Sequence, residues 1–459
     1  MKITVLSGSP KGELSITLQY IQYIIKKHPE HEYAIHLIGS RIHKIERDEK
    51  FFKSIIGDVA SSDVVLWATP VYYMTIPSQL MRFIELIYER GADDAFKNRY
   101  AASLTTSIHF FDHTAHNYLH AVSDDLGMKY VDYYSAYMDD LLKDAGQKQA
   151  LLFAENLFET AEKGLPYSNH YHPSGILEFE YTPAINPLNI DPENKRIVVI
   201  ADSIYAGTNL DNMIKHFCES FTGSIEVIDL RNIEIKSGCI GCIRCSFDNR
   251  CTFCDEDGFY DFYEGTIKRA DAIVFAGTIT HHFLSSRFKK YLDRSFYNNH
   301  VPSIMGKQIG FIVSGRLRTE ENLREIFKAY FEIQTANLVD FVTDEDQDSR
   351  KIDESLQCLA SDIVRLSRKD YLIHRTFISV GGWKLFRDEV WGKLRFVFQA
   401  DHKFYEENGL YDFPQDDIES LRFNEQMIEL LKDPKIRDDF RKNMRTTVLE
   451  QYKKAVESA

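Results

Sequence analysis

The chain has 459 residues, of which 44% are hydrophobic, and its formal net charge is −14 at pH 7. This length predicts two or three domains with ordinary buried cores. The scattered lysines and arginines of an acidic chain argue against nucleic-acid binding, and the lack of a long apolar run argues against a membrane span. The N-terminal stretch lacks the apolar region of a signal peptide, so we expect a cytoplasmic protein.

Residues 1–165 alternate short β-rich runs with amphipathic segments. The runs KITVLS, EYAIHLI, DVVLWAT, YAASLTT and KYVDYYSAY predict five strands, and five helices are expected to alternate with them. Such alternation implies right-handed crossovers and a parallel sheet covered by helices on both faces. The pattern therefore predicts an α/β domain.

The same pattern occurs a second time, after a linker predicted from Gly164 to about Asn194. KRIVVIADS resembles MKITVLSGS at an offset of 194 residues, and RADAIVFAGTITHHF resembles SSDVVLWATPVYYMT at an offset of 208. The 14 additional residues indicate an insertion ahead of the third strand of the second copy. We predict a second α/β domain over residues 195–369. Residues 370–459 are predicted to be a mostly helical extension that packs on the second domain or on a dimer partner.

Three loops of the first copy carry candidate ligand-binding residues at the carboxyl ends of strands, where open α/β sheets bind ligands. SGSPKGELSITL leads hydroxyl residues into a helix N-terminus, which favours a phosphate, with an ordinary capped turn as the alternative. It is neither a Walker loop nor a GxGxxG fingerprint. ATPVYYMTIPSQL offers tyrosine faces for a planar ring, and LTTSIHFFDHTAH adds hydroxyls and aromatic rings. The three loops thus offer sites for a phosphate, a planar ring and the polar edge of that ring, in the order that flavin mononucleotide (FMN) would need.

GSPKGELSITL and ATPVYYMTIPSQLMRFIE resemble the NADPH-dependent FMN reductases of the flavodoxin-like superfamily. The second copy, with its inserted GCIGCIRCSFDNRCTFCDEDGF, resembles the iron–sulfur flavoproteins of that group. The resemblance covers roughly residues 1–165 and 195–345 and implies two tandem flavodoxin-like, doubly wound parallel-sheet domains. It also implies that the first copy binds FMN. The cofactor-binding residues that it implies there are Ser9, Lys11, Ser15, Ile16, Thr17, Pro70, Val71, Tyr72, Tyr73, Thr106 and Ser107.

The second copy departs from the family pattern. Thr278 and Thr280 replace the proline and the first tyrosine of ATPVYY, so a second FMN stays open. The following pair, His281 and His282, is interpreted as a solvated loop pair, with a substrate or cluster contact as the alternative. The candidate cofactor residues of this copy are Ser203, Thr208 and Asn209.

Five of the seven cysteines lie between Cys239 and Cys254. In a reducing compartment such a cluster indicates a metal site rather than disulfides. The step C-x2-C-x2-C resembles the opening of a ferredoxin motif and favours a [4Fe–4S] cluster, with zinc or free redox-switch thiols as alternatives. Cys218 and Cys358 are predicted to be small buried apolar residues. The predicted metal ligands are Cys239, Cys242, Cys245 and Cys251, with Cys254 as a spare.

Taken together, these features predict a redox flavoprotein enzyme. Electrons from NAD(P)H or a reduced ferredoxin would pass through FMN and the cluster to a small-molecule or protein acceptor. Two alternatives stay open: a non-enzymatic electron carrier, and a zinc-stabilised binding or scaffold protein with vestigial flavin loops. Reductases of the resembled family are usually dimers with flavin at the interface, so we expect the two copies to imitate that dimer. A homodimer of the whole chain also stays open.

Overall fold

The computed structural model describes residues 1–175 and 177–457, and its first 165 residues build one five-stranded parallel sheet. The strand order is β2-β1-β3-β4-β5, which confirms the predicted flavodoxin-like α/β fold. The strands are β1 (Lys2–Ser7), β2 (Glu32–Leu37), β3 (Val64–Pro70), β4 (Tyr100–Ser107) and β5 (Lys129–Tyr137). The helices are α1 (Ile16–Lys27), α2 (Ile38–Arg47), α3 (Glu49–Ser61), α4 (Ser78–Glu89), α5 (Asp112–Asp125) and α6 (Asp144–Glu162).

The prediction of five helices in this copy was wrong, because it missed α2. This helix begins at Ile38, directly after the last residue of β2, so no turn residues separate the two elements. Its buried residues Ile38, Ile42 and Ile45 have the spacing of one helical face. The apolar period was therefore present in the sequence, but the missing boundary concealed it.

The second copy repeats the same topology with strand order β10-β9-β8-β6-β7. Its cysteine-rich stretch lies between β7 and α8, where the first copy has α2 and α3. The strands are β6 (Ile197–Ala201), β7 (Glu226–Asp229), β8 (Ala272–Thr278), β9 (Gln308–Ser314) and β10 (Asn337–Thr343). The helices are α7 (Asn209–Glu219), α8 (Phe259–Phe262), α9 (Ser286–Ser295), α10 (Glu321–Ile333) and α11 (Ser349–Arg368).

The two sheets share one apolar core on the faces that point toward each other. That cluster contains Trp67 and Phe83 of the first copy together with Phe275 and Phe288 of the second, all at most 1% exposed. Each copy also has an outer cluster of its own on the opposite face of its sheet. Because burial of apolar area is the main favourable term in folding, the shared cluster joins the copies into one folding unit.

The segment between the copies packs against them rather than forming a free tether. The side chain of Tyr181 is fully buried, and its hydroxyl donates to the carboxylate of Asp353. At the other end of the segment, the main-chain amides of His170 and Tyr171 donate to Asp124. Buried hydrogen bonds of this kind fix the path of the segment.

Residues after the second copy are helical, as predicted. Met1–His402 form one compact unit and Lys403–Ala459 a second. The helices are α12 (Phe377–Trp391), α13 (Gln399–Glu407), α14 (Ile418–Leu430) and α15 (Pro434–Glu457). In the second unit, the described side chains of α14 and α15 are almost all exposed. Among the described residues, no helix is long and apolar enough to span a membrane.

Helix α12 contacts both copies. On the second copy, Glu332 accepts hydrogen bonds from the main-chain amide of Thr376 and the hydroxyl of Ser379, just before and within α12. On the first copy, the hydroxyl of Tyr137 donates to Glu389 at 2.8 Å. The extension therefore packs through α12 on the second domain, as predicted, and α12 also packs on the first domain, which was not predicted.

Candidate flavin and metal site

One cavity of about 450 Å³ lies between the two copies, at the carboxyl edge of the first sheet. Its volume is in the range of small-molecule binding sites. All eleven candidate residues of the first copy line it, and so do all four predicted cysteine ligands of the second. The structure thus brings together loops that lie more than 130 residues apart in the chain.

The β1–α1 loop forms the polar end of this cavity. The hydroxyl residues Ser9, Ser15 and Thr17 are at most 2% exposed. Ser15 occupies the N-cap position of α1 without a side-chain capping bond, and the first turn of the helix has no acidic residue. The first amides of a helix have no partner within it, and the helix dipole favours an anion at this end. The loop therefore fits the phosphate of FMN.

The loop after β3 forms the wall beside the expected ring position. Its two residues Tyr73 and Met74 adopt left-handed backbone angles, with φ of 46° and 65°. Such angles are strained in residues other than glycine and persist only where the surrounding structure holds them. The hydroxyl of Tyr72 is buried and has no hydrogen-bond partner among the described residues. Burial, with the nearby charges of the cysteine loop and Asp293, raises the pKa of Tyr72 well above its ordinary value.

Tyr73 also reaches across to the second copy. Its ring centroid lies 5.5 Å from that of Phe296, in edge-on geometry. At the equivalent positions, 208 residues apart, His281 of the second copy stacks on Tyr88 of the first at 3.9 Å. This reciprocal pair of contacts is the pattern of a twofold dimer interface, formed here within one chain.

The cysteine loop faces these residues from the second copy. All seven cysteines are free thiols. Burial raises the pKa of Cys239 to about 12 and raises those of Cys245 and Cys251 as well. A bound metal cation reverses this effect and deprotonates its thiol ligands. Cys239, Cys245 and Cys251 are thus partly buried at one wall of the cavity, whereas Cys242 is exposed. Four thiols gathered at the wall of a cavity fit a metal centre.

Two glycines of the cysteine loop allow the loop to lie directly against the first copy. A Cβ atom on Gly241 would lie 2.1 Å from the hydroxyl oxygen of Tyr72, and one on Gly238 would lie 2.2 Å from Oγ of Ser78. Gly241 also has a φ of +64°, which glycine adopts readily. In addition, Nε2 of Gln79 donates to the main-chain oxygen of Cys239 at 3.2 Å. The loop is therefore shaped to contact the first copy.

Arg294 joins the two ends of the cysteine loop. Its guanidinium donates to the main-chain oxygen of Ser237 at 3.1 Å and to both carboxylate oxygens of Asp257. Both side chains of this ion pair are at most 1% exposed. Although burial opposes the effect, the hydrogen bonds from Arg294 hold the pKa of Asp257 below its ordinary value. The pair thus fixes where the loop leaves and rejoins the domain.

The candidate cofactor residues of the second copy, Ser203, Thr208 and Asn209, do not line the cavity. Thr208 caps α7 by accepting from the amide of Asp211. The side chain of Asn209 hydrogen-bonds the main chain at Tyr181 and the carboxylate of Asp344. Asn209, one of the three candidate residues for a second cofactor, is therefore already engaged by the linker and by Asp344.

The interpretation of His281 and His282 as a solvated pair was wrong. His282 is 5% exposed and lies between Asp125 of the first copy and Glu320 of the second, at 3.0 and 3.1 Å. Although burial acts to lower it, the two carboxylates raise the pKa of His282 to about 9. The prediction that Cys358 is buried was also wrong, because its position on α11 is exposed.

Sequence reasoning missed the wall of the cavity that α12 and the residues after it provide. That wall includes Phe386, Glu389 and Phe398. No local motif marks these residues, because their role arises only from packing against loops far away in the chain. Arg294, in contrast, could be singled out from the sequence, because it lies in FKKYLDR, a segment of the second copy that matches the helix of the resembled family.

A tandem pair of flavodoxin-like sheets with a phosphate-type loop at the carboxyl edge defines the chain as a flavin-binding α/β protein. The profile of one family, NADPH-dependent FMN reductase, matches residues 1–140 and 195–348, more than half of the chain. The chain belongs to the NADPH-dependent FMN reductase family, which makes it an FMN-dependent oxidoreductase.

Solved structures of similar fold each cover about the length of one copy. An apo NADH:FMN oxidoreductase has 17% identity and a TM-score of 0.31, and covers 36% of this chain and 91% of its own. The flavoenzyme NAD(P)H:(acceptor) oxidoreductase of Paracoccus denitrificans has 18% identity and a TM-score of 0.31, with coverage of 35% and 97%. The FMN complex of general stress protein 14 from Treponema denticola has 12% identity and a TM-score of 0.27, with coverage of 35% and 98%. No curated protein matches the chain.

Proposed function

We propose that the protein is an iron–sulfur flavoenzyme that oxidises NAD(P)H or a reduced ferredoxin and passes the electrons to an acceptor. FMN is held by the first copy, and a [4Fe–4S] cluster by Cys239, Cys242, Cys245 and Cys251 of the second. One observation carries this proposal: the flavin loops and these four cysteines line the same cavity.

Each group has a defined set of residues in this arrangement. Ser9, Ser15 and Thr17 bind the phosphate, and the Pro70–Tyr73 loop borders the ring. When bound, FMN accepts two electrons as hydride and releases them singly, which suits a one-electron partner such as a cluster. Gly238 and Gly241 hold the cysteine loop against the flavin loops, and the second-copy candidates do not contribute to this site.

The spacing of the cysteines along the chain favours iron–sulfur over zinc. Cys239, Cys242, Cys251 and Cys254 would be enough for a tetrahedral zinc site. The C-x2-C-x2-C step adds Cys245, which zinc does not need, and resembles the opening of a ferredoxin motif. Cys245 lines the cavity and Cys254 does not, which supports the ligand set proposed for the cluster.

Replacement of single cysteines tests the assignment of ligands. Cys242→Ala is expected to abolish the broad visible absorbance and the acid-labile sulfide of anaerobically purified protein, while FMN stays bound. Cys254→Ala is the matched control, because Cys254 lies in the same loop but does not line the cavity; it should retain iron. Loss of flavin alone in Cys242→Ala would contradict the assignment of the two cofactors to separate copies.

A further inference from the structure

We propose that His300 and Asp401 form a proton-donating pair in a subsite for a planar acceptor, closed by the helical extension. This inference rests on the proposed function and deepens it. It gives residues 370–402 a role: they supply the positioning carboxylate and one wall of the subsite.

The pair has the geometry of an oriented imidazole. Nδ1 of His300 lies 2.5 Å from Oδ2 of Asp401, and the main-chain amide of His300 donates to Oδ1 at 3.2 Å. Asp401 is fully buried, whereas His300 lines the cavity. A carboxylate that holds Nδ1–H fixes the tautomer and orientation of the ring, so Nε2 is the nitrogen left for a ligand.

The position of His300 is coupled to the cysteine loop through its neighbour. Asn299 has a left-handed φ of 51°, and its side-chain amide donates to the main-chain oxygen of Cys245 at 2.8 Å. Strained residues persist only where the surrounding structure holds them, which is most often at functional sites. The imidazole is therefore held at a fixed place between the metal loop and the extension.

The walls around His300 are aromatic and flat. Its ring lies 3.9 Å from that of Phe386 and 5.1 Å from that of Phe398. Trp383, Phe296 and Val397 line the same cavity. Apolar, aromatic walls with one convergent polar group are typical of a site that orients a planar ligand. The ligand class that fits is an aromatic carbonyl compound, whose oxygen accepts a hydrogen bond from Nε2.

The chemistry that this pair performs balances as follows. An aromatic dicarbonyl acceptor takes up two electrons, one at a time, and two protons, of which one comes from Nε2 of protonated His300 and the other from solvent. Asp401 keeps the ring in place through its hydrogen bond to Nδ1. Solvent then reprotonates His300. Overall, one NAD(P)H, one proton and one dicarbonyl yield NAD(P)⁺ and the dihydroxy product. Here His300 is the catalytic residue, and Asp401 is a positioning residue.

Two acceptors separate proton donation from electron transfer. 2-Methyl-1,4-naphthoquinone takes up protons with its electrons, whereas ferricyanide takes up electrons alone. In His300→Gln, the ratio of naphthoquinone to ferricyanide reduction is expected to fall about 100-fold, in the range for a lost general acid. Asp401→Asn should lower the same ratio. The matched control is His113→Gln, which removes an exposed histidine that pairs with Glu325 away from the cavity; it should leave the ratio unchanged.

Two readouts do not depend on turnover. In protein labelled with ¹⁵N-histidine, the Nδ1–H proton bound to the carboxylate is expected to give a far-downfield NMR signal. Both His300→Gln and Asp401→Asn should abolish this signal, and His113→Gln should retain it. Without reductant, binding of 2-methyl-1,4-naphthoquinone measured by tryptophan fluorescence should weaken about tenfold in Phe386→Ala.

The outcomes distinguish this inference from the function on which it rests. If the wild type reduces neither acceptor although FMN is bound, the proposed function fails, and the inference fails with it. If ferricyanide and naphthoquinone are both reduced and His300→Gln leaves their ratio unchanged, the inference alone is overturned. Persistence in Asp401→Asn of the downfield signal that His300→Gln removes would also overturn it.

Discussion

The main-chain amide of Ser78 donates a 2.8 Å hydrogen bond to Oδ2 of Asp293, so the first turn of α4 receives a carboxylate from α9. The equivalent bond recurs 208 residues on, where the amide of Ser286 donates to Glu85 at 2.6 Å. A carboxylate at a helix N-terminus is favourable because it meets free amides and the positive end of the dipole. Each helix thus caps the other, and this reciprocal pair of hydrogen bonds joins α4 and α9 between the two copies.

The carboxylate of Asp293 also pairs with Lys289, and both side chains are fully buried. Burial raises the pKa of Asp293 and lowers that of Lys289. Asp293→Ala leaves the lysine without its carboxylate, so the free energy of unfolding in urea should fall by about 3–5 kcal/mol. The double variant Lys289→Met/Asp293→Leu should recover most of that loss. If Asp293→Ala were no less stable than the control variant Ser286→Ala, this account would be contradicted.

The raised pKa of His282 predicts that the folded chain loses stability in alkaline solution. Its pKa is raised to about 9 in the folded chain, above an unfolded value of 6.5, by Asp125 and Glu320. The stabilisation is therefore complete below pH 6.5 and is lost as the pH rises through 9; its upper limit is about 3 kcal/mol. His282→Gln should flatten the decline of the urea midpoint between these pH values. His113→Gln, at an exposed site, should keep the wild-type profile, and a steep profile in His282→Gln would be inconsistent with this role.

Gly241 offers a test of the contact between the copies. Gly241→Ala places a methyl group 2.1 Å from the hydroxyl oxygen of Tyr72, so the cysteine loop or the tyrosine must move. The purified variant is expected to contain less iron and less FMN than the wild type. Gly207→Ala is the control, because Gly207 has a similar φ of +79° but nothing within 4 Å of the added atom. Equal cofactor loss in both variants would assign the effect to backbone strain alone.

Arg294 is expected to determine metal retention through the loop ends that it holds. Arg294→Met leaves Asp257 buried without its partner, at a cost of about 3–5 kcal/mol, and frees both ends of the loop. Iron content after anaerobic gel filtration should fall strongly. Arg244→Met removes an exposed arginine of the same loop, paired with Asp248, and should retain iron. Full iron content in Arg294→Met would show that the cysteines alone fix the loop.

Local patterns predicted much of this molecule. The strands were legible because each is a short apolar run bounded by turn residues, and the duplication showed which loops are equivalent. The candidate flavin loops and the four candidate cysteine ligands were selected by residue type, by spacing and by the family resemblance. That they line one cavity was not predictable from the residues, because it depends on how α4 and α9 pack.

The features that sequence missed share one physical cause. The burial of His282 requires Asp125 and Glu320, which come from different copies. The roles proposed for His300 and Phe386 require the extension to lie against loops of both copies. Each of these environments is created by tertiary contacts between distant segments, and no local period or motif reports them.

The most direct test of the central claim is a count of cofactors in anaerobically purified wild-type protein. We expect about one FMN, four iron atoms and four acid-labile sulfides per chain, since one cavity serves both groups. Zinc in place of iron, with no sulfide, would contradict the cluster. Two flavins per chain would contradict the assignment of the flavin site to the first copy alone.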